Sequence, residues 1–113
     1  MIVSTVRMTI PPRKRTGVLN ILRSLAEQSR NNHGCISCHI YEGLQEPNAF
    51  MLEEVWRSDE DLNLRIRSDE YRNLLRVLKM VLRQSEIRFD TIKHSTGIET
   101  IEKARSHASG YVR

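Results

Sequence analysis

The stretch Phe50-Met-Leu-Glu-Glu-Val-Trp-Arg-Ser-Asp-Glu-Asp-Leu62 decides the fold. From Ala49 to Trp56 the side chains alternate, with Phe50, Leu52, Glu54 and Trp56 on one side and Met51, Glu53 and Val55 on the other, which is the period of a strand. Ser58 then stands as a helix cap, and Asp59, Glu60 and Asp61 fill a first turn whose unpaired N–H groups favour acids. A half-buried strand therefore passes directly into a helix.

Working upstream, Leu44 to Asn48 contains Pro47-Asn48 and reads as a hairpin loop. Before it, Cys35 to Gly43 alternates again, which puts Ile36, Cys38 and Ile40 on one face and Cys35, Ser37, His39 and Tyr41 on the other. Val18, Ile21, Leu22 and Leu25 recur at helical spacing in a segment that runs to about Asn32, with Gly34 as its expected left-handed terminator. The basic run Arg13-Lys14-Arg15 precedes that helix, either to meet an anion or as a solvated loop. At the start, Ile2, Val6, Met8 and Ile10 oppose Thr5, Arg7 and Thr9 in a further strand, which Pro11-Pro12 ends.

Downstream, Leu62 and Ile66 continue a short apolar stripe, and a second cap at Ser68 opens a longer helix with Tyr71, Leu74, Leu75, Leu78, Val81 and Leu82 inward. A fourth strand, about Glu86 to His94, carries Ile87, Phe89 and Ile92 and breaks at Gly97. Ile98 to Ala108 forms a peripheral helix with Ile98, Ile101 and Ala104 or Arg105 along one side. The order is that of an α+β, ferredoxin-like βαββαβ antiparallel sheet with helices on one face. Residues 1–94 make this domain and 95–113 a C-terminal extension. The uncovered face calls for a partner.

The chain has 113 residues, 39% apolar and 28% charged, which suits one globular domain with a small core. Its 18 basic residues stand against 14 acidic ones, and the net +4 without a local patch speaks for solubility. Arg72, Arg76, Lys79 and Arg83 recur at helical spacing, but no aromatic residues interleave them, so the stripe reads as a solvated face and not a nucleic-acid track. No apolar run is long enough to span a membrane, and Arg7 interrupts what would be a signal-peptide core, so a cytoplasmic protein is expected.

Four places carry possible chemistry. Cys35-x-x-Cys38-His39 has the spacing of a c-type haem attachment site, and His33 adds a fourth metal-ligand type. Strand geometry, however, sends residues three apart to opposite faces, so Cys38 is expected in the core and neither haem nor metal is expected. Trp56 either walls an aromatic-substrate pocket or closes the core. Glu54, facing apolar neighbours beside Trp56, is either a general base or a salt-bridge partner of Arg65 or Arg76. His39 and Tyr41 share a strand face, where the imidazole serves as a base or has a structural role.

Gly34-Cys35 and the strand to Tyr41, the Phe50–Trp56 strand, the Ser58–Leu62 helix start and Ser68-x-x-Tyr71-Arg72 together resemble the antibiotic biosynthesis monooxygenase family over roughly residues 1–94. The resemblance implies a homodimer in which two sheets pair as a dimeric α/β barrel, each protomer holding a pocket between sheet and helices. It also implies oxygenation of a quinol-like or other electron-rich aromatic small molecule without metal, flavin or other cofactor. In that setting His39 or Glu54 takes the phenolic proton, and Tyr41 or Arg65 steadies the resulting oxyanion. Trp56, Leu52 and Phe50, with Tyr71, line the ring. Two departures stand out: Arg65 lies where many members carry a histidine, and Arg76 where haem-degrading relatives place their haem ligand, which argues against haem degradation. The alternative is a non-enzymatic dimer of the same fold that binds a small ligand as sensor or carrier.

Overall fold

The alternating segments pair into one antiparallel sheet. In the computed structural model, which describes residues 1–81 and 85–111, the strands are β1 (Ile2–Thr9), β2 (Cys35–Glu42), β3 (Ala49–Trp56) and β4 (Ser85–Thr91). They lie in the order β2-β3-β1-β4, so β2 and β4 are free edges and the sheet is open. The helices are α1 (Arg15–Arg30), α2 (Asp59–Arg67), α3 (Tyr71–Met80) and α4 (Ile98–Tyr111). The first three lie over one face, completing the ferredoxin-like arrangement.

Burial follows the pleat in the two central strands. Ile2, Ser4, Val6 and Met8 of β1, and Phe50, Leu52, Glu54 and Trp56 of β3, all point under the helices and are buried. From α1 they meet Val18, Leu22, Leu25 and Ser29, and from α3 Tyr71, Leu74, Val77 and Leu78.

β2 departs from simple alternation. Cys35 pairs with Trp56 but Ser37 pairs with Val55, so Ile36 is the extra residue of a β-bulge. The bulge corrects the sequence reading at two positions. Ile36 is exposed, whereas Cys35 packs against the core on the same face as the buried Cys38. The two sulfurs are not separated by the sheet after all.

Gly34 also differs from expectation. α1 ends at Arg30 with Asn31 as its cap, and among the described residues no glycine has a positive φ; the left-handed residue there is Asn48 in the hairpin loop, at φ 64°. Gly34 is needed for close approach instead, because a Cβ there would lie 2.3 Å from Asp61 Cγ at the start of α2. Two members of the basic run are held within the chain. Lys14 Nζ donates to Met80 O at the end of α3 (3.1 Å), while Arg15 pairs with Glu42 (3.3 Å) and lies over the Phe50 ring (5.0 Å).

α2 begins as predicted, with Ser58 Oγ accepting from Asp61 N at 3.2 Å. Its inward residues are Leu62 and Arg65, and Ile66 is exposed. Ser68 closes α2 by donating to Arg65 O (2.6 Å) and does not cap α3. On α3, Val77 takes the inward position expected of Leu75, which is exposed, and Leu82 and Arg83 lie outside the described residues. β4 ends at Thr91, and its Ile87 and Phe89 are half-exposed because the helices do not reach over that edge.

Candidate functional site

A polar cluster lies inside the apolar layer between sheet and helices. Glu54, 3% exposed, stands in the middle of β3 with Cys38 beside it on β2 and Ser4 on β1. Ser29 of α1 donates its hydroxyl to Glu54 Oε2, and Cys38 Sγ donates to the same oxygen at 3.8 Å. Among the described residues Glu54 forms no ion pair, so neither Arg65 nor Arg76 is its salt-bridge partner.

Arg65 enters the same layer from α2. Its Nη2 donates to Leu25 O at 3.2 Å, and its Nε is buried with no acceptor. Trp56 is fully buried against Ile2, Leu62 and Cys35, and its Nε1 also lacks an acceptor. Leu62 and Arg65 are one helical turn apart on the inner side of α2, so the two unpaired N–H donors lie beneath the same helix. Unpaired buried donors are rare because each forfeits a hydrogen bond to water. A third unpaired atom, Gln28 Oε1, lies on α1.

The neighbouring titratable groups register this cluster. Burial, then the Glu54 charge, raises the Tyr71 phenol, with Arg65 opposing. The same two effects, in the same order, raise the Cys35 thiol. Cys38 is pushed up to about 12, first by burial and then by Glu54. Both thiols are free and stay neutral near pH 7, so Cys38 serves as a weak donor and not as a nucleophile. Among the described residues no three His, Cys, Asp or Glu side chains converge on a metal position.

The site residues proposed from sequence therefore fall into two groups. Glu54, Arg65, Trp56, Leu52, Phe50 and Tyr71 are buried on the covered face. His39 and Tyr41 are exposed on the opposite face, their rings 6.0 Å apart, with His39 across from Glu53. Tyr41 and Phe50 border a cavity of about 480 Å³ at the hairpin end, shared with Arg7, Glu42 and Glu86. His39 borders another of about 230 Å³ beside α1. Neither includes Glu54, Arg65 or Trp56. Ser29 escaped the sequence reading although the signal existed: it continues the inward series Val18, Leu22, Leu25, and a polar residue on such a stripe faces the core.

A sequence profile of the antibiotic biosynthesis monooxygenase family matches residues 1–76. The chain belongs to that family.

Solved structures agree on the fold. A conserved protein from Methanosarcina mazei superposes with a TM-score of 0.74 at 26% identity, covering 81% of this chain and 92% of that one. A Deinococcus radiodurans protein placed among the antibiotic biosynthesis monooxygenases gives 0.78 at 17% identity, with 87% and 98% covered. SnoaB, a cofactor-independent oxygenase from Streptomyces nogalater, gives 0.70 at 10% identity, with 83% and 94% covered. An uncharacterised Synechocystis protein is 37% identical over 49 residues, which span 43% of this chain and 33% of the relative's length. No helix among the described residues is long and apolar enough to cross a membrane.

Proposed function

We propose that this chain is a cofactor-independent monooxygenase that oxidises a quinol-like or related electron-rich aromatic small molecule on the covered face of the sheet. The observation that carries this reading is the pair of buried donors, Trp56 Nε1 and Arg65 Nε, left without acceptors in the layer that holds the Glu54 carboxylate. A phenolic or carbonyl oxygen of a ligand answers both. Family membership supports the reaction class, and the description of SnoaB supports its running without a cofactor.

In this mechanism Glu54 takes the phenolic proton and Arg65 with Trp56 holds the oxyanion that results. The electron-rich ring carbon, which carries a hydrogen, then bonds to dioxygen, and the peroxide that forms takes the proton back from Glu54 to give a hydroperoxide. The hydroperoxide loses water to leave a carbonyl, so one oxygen atom enters the product and the other leaves as water. Leu52, Tyr71 and the Trp56 ring wall the substrate, with Phe50 toward the hairpin end. Glu54 is preferred to His39 as base because His39 is exposed on the other face. A second copy of the chain covers that open face, giving a homodimer, and a cytoplasmic setting suits the two free thiols.

The test is oxygen uptake with a panel of quinols and anthrones in flavin-free buffer containing a chelator. Uptake matched by carbonyl formation supports the oxygenase. A ligand that raises the melting temperature without consuming oxygen supports the sensor or carrier alternative, in which the same two donors hold a ligand oxygen with no turnover.

A further inference from the structure

Glu54 and Arg65 are opposite charges buried in one apolar layer, yet among the described residues they form no ion pair. Buried charges are costly unless other groups hold them. Burial first, then the Glu54 charge, raises the Cys35 thiol and the Tyr71 phenol, and at each the Arg65 charge opposes, so both charges lie within range of the same two groups. One turn of α1 holds each of them separately. Leu25 O accepts from Arg65 Nη2 at 3.2 Å, and four residues on, Ser29 donates its hydroxyl to Glu54 Oε2. A serine inside a helix can turn its hydroxyl back to the carbonyl four residues earlier. For Ser29 that carbonyl is Leu25 O, which takes the Arg65 guanidinium, and the hydroxyl reaches across to the sheet instead.

The hydrogen bonds to Glu54 converge on one atom. Ser29 Oγ and, at 3.8 Å, Cys38 Sγ both donate to Oε2, and each oxygen of a carboxylate has about two lone-pair sites. Oε2 is thereby filled, and Oε1 keeps the capacity to accept a proton. We propose that Ser29 is a positioning residue for the Glu54 base: with Cys38 it fills Oε2, so that the substrate proton goes to Oε1 and returns from Oε1 to the peroxide, while the turn Leu25–Ser29 keeps base and guanidinium as separate groups. The inference rests on the oxygenase reading above and adds which oxygen of Glu54 works and what holds it. An ion pair between Glu54 and Arg65 would occupy the base and the oxyanion donor at once. A thiol is a weak donor, so the hold falls chiefly on Ser29.

The test is a double-mutant cycle on kcat, with Ser29→Ala, Glu54→Gln and the double variant assayed on a quinol or anthrone that the parent turns over. Ser29→Ala is expected to lower kcat at least about tenfold, as for a misplaced catalytic group, and to move KM less than about twofold, because Arg65 and Trp56 still bind the substrate oxygen. In the Glu54→Gln background the same change is expected to lower kcat less than about twofold, since Ser29 acts through the carboxylate. Losses that multiply across the cycle would assign Ser29 to the fold alone and overturn the proposal, as would an unchanged kcat in Ser29→Ala. If Ser29→Ala does not fold, Ser29→Cys, which keeps the volume and a weaker donor, takes its place, with a smaller loss in kcat and the same non-additivity expected. A parent that consumes no oxygen with any quinol or anthrone overturns the oxygenase reading and this role with it. A parent that turns over while the cycle is additive overturns the role alone.

Discussion

Ser29 of α1 donates its hydroxyl to the carboxylate of Glu54 on β3, so helix layer and sheet are joined by a polar pair buried from water. Ser29→Ala leaves that carboxylate with only the weak Cys38 S–H as donor, and the unmet acceptor is expected to cost about 1–3 kcal/mol. Glu54→Leu in the Ser29→Ala background removes both halves and is expected to recover much of the loss. Urea unfolding of the two single variants and the double gives the coupling directly. Strict additivity would mean that the bond contributes nothing.

The Cys38 thiol sets a limit at high pH. Its folded-state pKa, about 12, lies above the ordinary thiol value of 9.0. Between these values the folded state retains a proton that the unfolded state has lost, so the contribution is whole below about pH 9 and is lost as pH rises toward 12. The slope approaches about 1.4 kcal/mol per pH unit for this group. Urea midpoints from pH 8 to 10.5 are expected to fall in the parent and to fall less steeply in Cys38→Ala.

Trp56→Phe separates stability from function. Phe fills less of a fully buried site while the unpaired Nε1–H disappears, so the melting temperature is expected to fall by only a few degrees, the lost contacts being partly offset by removal of the unmet donor. Turnover is expected to drop at least about tenfold as the substrate oxygen loses a donor. Equal losses in both would return Trp56 to a purely structural role.

Two glycines give opposite results on the same change. Gly34→Ala drives a methyl into Asp61 and is expected to destabilise by about 1–3 kcal/mol. Gly17→Ala, inside α1 with nothing within 4 Å of the new methyl, is expected to stabilise by about 0.5–1 kcal/mol. Thermal melts of the two variants check both signs.

The fold was legible because its signals are local. Alternation from Ala49 to Trp56, the Ser58 cap and the acids behind it identify a strand passing into a helix without reference to any distant residue. What sequence did not disclose depends on pairing. The bulge at Ile36 arises from the register of β2 against β3, and it moves Cys35 to the covered face, which no period within β2 predicts. The inward turn of Arg65 similarly required the angle at which α2 meets the sheet, since Leu62 and Ile66 share helical spacing as well as Leu62 and Arg65 do. His39 and Glu54 stand as alternative bases in the sequence, because alternation within one strand does not say which of its faces matches which face of the next; the register of β2 against β3 does, pairing Cys38 with Glu54 and His39 with Glu53, and so puts the two candidates on opposite faces.

The proposed oxygenase does its chemistry at Glu54 on the covered face. It is tested most directly by steady-state oxygen consumption of Glu54→Gln and His39→Ala beside the parent, on whichever quinol or anthrone the parent turns over. Glu54→Gln is expected to keep the Ser29 hydrogen bond and the fold but to lose at least about a hundredfold in kcat, as for a lost general base, while His39→Ala is expected to stay within about twofold of the parent. Full activity in Glu54→Gln, or collapse in His39→Ala, would contradict it.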